Sequence, residues 1–495
     1  MGVVIRQSIF TSVISYAGVV IGYINLLYLY PRFLEIEQIG LLRTIQDAAI
    51  LFVPFAQLGL AQSITRFFPQ FNASRQQSSA FITLILVLSF VSFGLFWIIF
   101  RLAEPMILNF FQEQAPDLAA YLNLTLWLTF LLLITTLLET YSRSHLRVAF
   151  PGLLREVVIR LLQALLVTAY FVNLVDFREF LIANVVIYVF TLLALIGHLI
   201  YSGHFQLTVD FSFFQFQKLK ALLQFSTLSF IGTSSIIIIG KVDSLMVAGL
   251  LGLASNAIYT TAFYMATVIE IPKRAILQTT MPLIAEAFEK NNLDEIKKIY
   301  QRVSINQLII GSLLLIGVWV NLHNIYALVP KGEVFQTGAV VVLLVGIAKL
   351  IDMVFGPSSE IIVLSRYYAF NIAVVLVLAV TVIGLNLLLI PRYGLAGAAG
   401  GSVAAMFLFN FTKYIFIYFT FGLQPFSRHT VLVLLIAGLT IGLNYALPVA
   451  ANTILDIVYR SGLITLVFAA LIYFSKSSTE LNELALRTWK RIFGS

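Results

Sequence analysis

The segment Lys241–Ala287 reads KVDSLMVAGLLGLASNAIYTTAFYMATVIEIPKRAILQTTMPLIAEA. It opens on Lys241 and Asp243 at the end of an apolar run. It continues without a charged residue from Ser244 to Ile269, then sets Glu270, Lys273 and Arg274 around Pro272. Charge this deep in an apolar segment is costly in a bilayer, so it marks a functional candidate. The segment also echoes an earlier one, and that repeat organises the chain.

Of the 495 residues, 60% are hydrophobic and only 11% charged, whereas soluble domains carry about 25% charge. Such a chain has too little polar surface to face water all round. The apolar runs are continuous rather than alternating, so the spans are helices and not barrel strands. The net charge of +8 fits basic loops held in the cytoplasm and does not call for nucleic acid. There are no cysteines, which excludes disulfides, thiol nucleophiles and Cys-ligated metals. Arg6 precedes an uncharged run from Gln7 to Pro31, too long for a signal peptide's apolar region and long enough to span.

At roughly 20 apolar residues per crossing, the sequence predicts about fourteen spans. They lie at about 8–30, 44–68, 79–100, 119–139, 151–172, 179–201, 220–240, 255–280, 301–321, 336–356, 367–390, 394–420, 430–449 and 457–474. An even count puts both termini on one side. Loops on that side carry Arg75, Arg143, Arg147, Lys218, Lys220, Lys290, Lys297, Lys298, Arg302, Arg366 and Arg428, and the tail adds Lys476, Arg487, Lys490 and Arg491. The opposite loops hold fewer cations, offset by acids. Both termini are therefore expected in the cytoplasm. The longest loop, about 283–300, has Leu293, Ile296, Ile299 and Tyr300 at helical spacing and reads as an amphipathic surface helix.

PRFLEIEQIGLLRTIQDAAILFVPFAQLGL (31–60) and AGLLGLASNAIYTTAFYMATVIEIPKRAIL (248–277) share a plan. Each has a Leu-rich turn, a polar step, a small residue (Gly40, Ala257) and a long apolar run broken by a proline (Pro54, Pro272). The second half thus begins at span seven. An even number of helices per half makes the repeats parallel, related by an axis along the membrane normal, with substrate between the halves.

YLYPRFLEIEQIGLLRTIQDAAILFVPFAQLGLAQSITRFFPQF (28–71), KVDSLMVAGLLGLASNAIYTTAFYMATVIEIPKRAI (241–276) and PRYGLAGAAGGSVAAMF (391–407) resemble the bacterial polysaccharide-biosynthesis membrane proteins, the oligosaccharide-lipid flippases. Their superfamily also holds the multidrug and toxin extruders and the lipid II flippase. The resemblance implies an all-α integral membrane fold with two six-helix lobes, 1–210 and 211–425, and two extra C-terminal helices with a tail, 426–495. It implies alternating access, no cofactor, and a bacterial inner-membrane location. It also implies a cargo of undecaprenyl-pyrophosphate-linked glycan moved to the periplasmic leaflet for O-antigen, capsule or exopolysaccharide. Membrane lipids, glycosyltransferases and a polymerase of the same pathway are the expected partners.

A pyrophosphate cannot cross hydrocarbon unaided and calls for Arg or Lys. Arg43 and Arg66 bracket span two; Arg160 lies in span five, Lys273 and Arg274 in span eight, Lys349 in span ten and Lys413 in span twelve. A cationic cavity is the economical reading. The structural alternatives are snorkelling of Arg43 and Arg66 to the interfaces, pairing of Asp47 with Arg43, and an ion pair of Lys349 with Asp352 one turn on. Two more are a cytoplasmic-end role for Arg160 beside Arg155 and Glu156, and for Lys273 and Arg274 if span eight is short. Glu139 reads as a cap or loop pair. Lys413 has no obvious local partner. For the glycan, Tyr23 and Asn25, with Tyr16, Tyr28, Gln46, Gln57 and Gln62, offer hydrogen bonds and stacking, although Tyr also collects at interfaces. Asp47, Asp243, Glu270 and Asp352 are the candidate carboxylates for a coupling ion. Pro54, Gly59, Pro272, Gly356 and Pro357 soften helices where a transporter bends. The competing functions are a cation-coupled multidrug antiporter of the same fold, which wants an acidic pocket, and a polymerase or ligase. The latter wants a sizeable periplasmic loop and acid/base groups, whereas the five histidines, 145, 198, 204, 323 and 429, are scattered.

Overall fold

The structure is a computed structural model that describes residues 2–72, 74–203, 205–208, 216–480 and 482–483. Arg487, Lys490, Arg491 and His204 lie outside the described residues, as does the side chain of Arg6. Every regular element among the described residues is helical.

The helical segments follow the expected spans. Among the described residues, nine are individually long and apolar enough to cross a membrane, and the bent pair Ala339–Val354 and Ser358–Leu364 makes up to ten. The rest are long, broken or short. Tyr368–Phe421 runs for 54 residues and turns at Gly394 (φ 59°, ψ −137°), where glycine alone is comfortable. At 1.5 Å per residue it is far longer than one crossing needs, so it supplies spans eleven and twelve. Span eight is Leu253–Thr267, a tight turn at Val268–Glu270, and Ile271–Glu289. Span five is assembled from Ala149–Leu153, Leu154–Val158 and Ile159–Phe171, and span thirteen is the 17-residue helix Arg428–Asn444. The pattern is consistent with fourteen crossings.

The prolines act where expected. Span two breaks at Leu58 and Gly59, both with positive φ, one turn after Pro54. Proline removes a backbone donor and crowds the preceding turn. Span eight breaks just before Pro272, and span ten bends by 45° across the gap holding Gly356 and Pro357.

One expectation is corrected. Residues 293–300 do not form a separate surface helix. They are the first turns of Leu293–Val320, with Ile296, Ile299 and Tyr300 buried in an apolar cluster with Ile284, Ile361 and Ile417. The helical spacing was real, but its apolar face meets protein rather than lipid headgroups. Asn292 caps this helix by accepting from the Glu295 amide, so chain direction reverses sharply after Glu289.

The chain divides into two compact units, Met1–Ala257 and Ile258–Ser495. In unit 1, span two (Ile36–Gln57) is the hub, packed on spans four and seven. Span seven and the first residue of span eight lie close along it. A Cβ at Gly40 would fall 1.9 Å from the Leu253 carbonyl oxygen, and one at Gly59 2.1 Å from that of Ser226. Beside the latter, Ser63 and Ser226 hydroxyls meet at 2.6 Å. In unit 2, span nine is the hub. Its Leu308, Ile309 and Ile316 pack with Val433 of span thirteen and Ile464 and Phe468 of span fourteen.

Candidate functional site

Unit 2 concentrates charge within its helices. Span eight presents Glu270 and Lys273 three residues apart, and span ten presents Lys349 and Asp352 at the same spacing with the signs reversed. Three residues is nearly one helical turn, so each pair shares a face. The structure does not pair Lys349 with Asp352. Lys349 Nζ lies 2.5 Å from Glu270 Oε2, and Lys273 Nζ contacts Asp352 Oδ2. The register is parallel, 270 against 349 and 273 against 352, as two even-numbered spans running in the same direction require. Each charge meets its opposite on the facing helix, which is why the local pairing gives way. These groups are largely buried, with side-chain exposures of 14–24%.

Arg274 behaves differently. It approaches Glu270 at 3.6 Å but its side chain is 77% exposed, so the adjacent cations Lys273 and Arg274 point to different surroundings. Lys413, at 2% exposure, is among the largest fully buried side chains. Its Nζ donates to Ser359 Oγ at 2.9 Å and stands 3.7 Å from the Phe409 ring centroid, a cation–π contact favoured by desolvation. Glu360, next to Ser359, interacts electrostatically with Lys273 and Lys413. Sequence reasoning missed Ser359 and Glu360; the available signal was an acid three residues after Pro357 of the Gly356–Pro357 break.

Unit 1 holds a second polar network. Asp47 is 4% exposed. Its Oδ1 lies 2.5 Å from Lys241 Nζ, and its Oδ2 accepts from Ser244 Oγ at 2.7 Å. Asn256 Nδ2 donates to Thr44 Oγ1 at 2.8 Å, and Thr44 donates on to the Gly40 carbonyl at 2.7 Å. Asp47 therefore does not pair with Arg43, because span seven fills both carboxylate oxygens. Arg43 instead donates to Gln46 Oε1 at 3.3 Å, with its guanidinium 5.6 Å from the Tyr30 ring centroid. Gln46 and Gln163 both donate to Asn184 Oδ1. Asp243 is buried at 5% exposure.

The remaining candidates are dispersed. Asn25 is buried, donating to the Arg160 carbonyl at 2.8 Å, and Tyr23 is half-buried. Arg66 is exposed over Phe225 at 4.3 Å. Tyr16 and Tyr28 are exposed at 65% and 45%, while Gln57 Oε1 and Gln62 Oε1 are buried without a hydrogen-bond partner. Arg160 pairs with Glu156 at 3.0 Å, and Arg155 with Glu139 at 2.7 Å. Arg160 thus sits with its local acid, and Glu139 with a cation at the start of the next span.

The family model described as "Polysaccharide biosynthesis protein" matches residues 4–288. The chain belongs to that family. No curated protein matches the sequence. Among solved structures, this family member is similar to the lipid II flippase MurJ in an inward closed conformation, with TM-score 0.75 and 11% identity over 94% of this chain and 99% of that one. It is similar to an inward-facing MATE multidrug transporter of the MOP superfamily, with TM-score 0.62 and 13% identity over 83% of this chain and 94% of that one. A third is a MOP superfamily transporter from Pyrococcus furiosus with a binding pocket described as of reverse polarity, TM-score 0.55 and 13% identity over 85% and 95%. At these identities the likeness concerns the fold. This polysaccharide biosynthesis family protein is a multi-pass, all-α membrane protein, and the proteins sharing its fold are flippases and transporters rather than enzymes.

Proposed function

We propose that this protein flips an undecaprenyl-pyrophosphate-linked oligosaccharide from the cytoplasmic to the periplasmic leaflet by alternating access, for surface polysaccharide assembly. The observation carrying this reading is the cationic cluster of unit 2. Lys273, Lys349, Lys413 and Arg274 stand against Glu270, Asp352 and Glu360, and Lys413 has no carboxylate within ion-pair distance among the described residues. A buried lysine with acids nearby but none in contact keeps its ammonium available to an anion that enters the site. A pyrophosphate is such an anion, and its oxygens accept charge-assisted hydrogen bonds from ammonium and guanidinium groups.

Within this reading, Lys413 and Lys349 bind the head group in unit 2, while Arg274, expected there from the sequence, is 77% exposed and stands at its margin. Arg43 and Arg66 serve it in unit 1, and Asn25 and Tyr23 contact the glycan. Glu270, Asp352, Asp47 and Asp243 are the acids available to an ion-coupling step. The basic loops support a bacterial inner-membrane orientation with both termini in the cytoplasm. Glycosyltransferases and a polymerase of the same pathway supply and consume the cargo.

The test is complementation of a bacterial strain lacking its own O-unit flippase, using several strains with different glycan repeat units. Restored surface polysaccharide in at least one, with the protein in the inner membrane, is the expected result. No restoration in any strain, together with export of a cationic drug, would favour the multidrug antiporter instead.

A further inference from the structure

In the charged cluster of spans eight, ten and twelve, one acid and one ammonium among the described residues stand outside the ion pairs. Glu360 lies on the short helix Ser358–Leu364, immediately after the 45° bend of span ten. Lys413 reaches it from span twelve and donates to Ser359, the residue preceding Glu360. Lys273 and Lys349 each have a carboxylate oxygen in contact. Among the described residues, Glu360 and Lys413 have no such partner within 4.0 Å, yet each interacts with the other's charge. The other charged groups facing Glu360 are Lys273 of span eight and Asp352 of span ten. Span nine contributes the Tyr300 hydroxyl, which is engaged with Ser358 Oγ at 2.8 Å.

We propose that Glu360 takes up one proton when an anionic pyrophosphate head binds at Lys413 and gives it back when the head leaves. The inference rests on the pyrophosphate reading above. In the empty site, ionised Glu360 offsets the Lys413 ammonium. An arriving phosphate oxygen is drawn to that ammonium but repelled by the carboxylate beside it. A proton from water forms an O–H bond on a Glu360 oxygen, which removes the repulsion. Lys413 keeps its three protons and turns its full charge to the anion. On release of the anion the Glu360 O–H bond breaks and the proton returns to water. Coupling of this kind is reciprocal: the proton tightens the anion, and the anion tightens the proton. The Gly356–Pro357 break, where Gly356 adopts φ 57°, lets the short helix carrying Ser359 and Glu360 turn independently of Ala339–Val354.

The test is calorimetric titration of the purified full-length protein in detergent with farnesyl pyrophosphate. It is run at pH 8, where the free probe is ionised, in two buffers of different ionisation enthalpy. Wild type is expected to take up about one proton per bound probe, and its affinity to weaken about tenfold per pH unit. Glu360→Gln is expected to bind with no such uptake and a flatter pH profile, and Glu360→Asp to retain the uptake. Binding by wild type with no buffer dependence overturns the proton inference and leaves the pyrophosphate reading standing, whatever the variants do. Equal uptake in wild type and Glu360→Gln overturns it in the same way. Absence of probe binding by wild type overturns both.

Discussion

Lys241→Ala is expected to destabilise the detergent-solubilised protein by about 3–5 kcal/mol, the usual consequence of leaving a buried ion-pair partner alone. Asp47 is 4% exposed and takes the Lys241 ammonium on one oxygen and the Ser244 hydroxyl on the other. Removing the ammonium leaves a carboxylate in a low-dielectric site with one donor. Asp47→Asn in the Lys241→Ala background should recover most of the lost stability, because an amide needs no counter-charge. Denaturation midpoints of the two single variants and the double variant form the cycle. A Lys241→Ala defect that Asp47→Asn does not relieve would show that Lys241 acts through packing rather than through this carboxylate.

The second large effect concerns transport. Lys413→Ala is expected to lower surface-polysaccharide restoration by roughly tenfold to a hundredfold at equal membrane abundance. That is the range set by about 1.5–3 kcal/mol for a hydrogen bond to a charged group. Lys413 makes no ion pair among the described residues, so its removal strands no acid at contact distance and the protein should still insert. Lys349→Ala should lose transport too, but with a stability cost because Glu270 keeps only its long contact with exposed Arg274, which Glu270→Gln should ease. Arg274→Ala should remain within about twofold of wild type, since its side chain is 77% exposed and its contact with Glu270 is long. Wild-type transport by Lys413→Ala, or a heavier loss from Arg274→Ala than from Lys413→Ala, would contradict the site.

The sequence shows the helices better than it shows their partners. Span ends are marked by local chemistry: proline after the last turn, glycine at Gly394, and Asn292 as a cap before Leu293. Those signals act within one or two turns, so they can be read along the chain. The pairing of charges cannot. Asp47 and Lys241 are 194 residues apart, and nothing local says that span seven rather than Arg43 fills the carboxylate. Lys349 and Asp352 look like a pair because only their own helix is visible in sequence. The parallel facing of span eight makes the cross-pairing the shorter route. The amphipathic pattern at 293–300 shows the same limit, since periodicity reports an apolar face but not what covers it. Glu360 escaped notice because it carries no periodic signal, and its setting is created by the bend and by two distant lysines.

The most direct measurement is flipping in proteoliposomes. Purified protein is reconstituted with an undecaprenyl-pyrophosphate-linked oligosaccharide in both leaflets, and the outer pool is trimmed by a membrane-impermeant glycosidase. The account predicts that wild-type vesicles expose nearly the whole lipid-linked pool to the enzyme, that vesicles with Lys413→Ala do so roughly tenfold to a hundredfold more slowly, and that protein-free ones stop at the outer half. Cleavage halting at the outer half in wild-type vesicles, with glycans that the complementation strains accept, would contradict it.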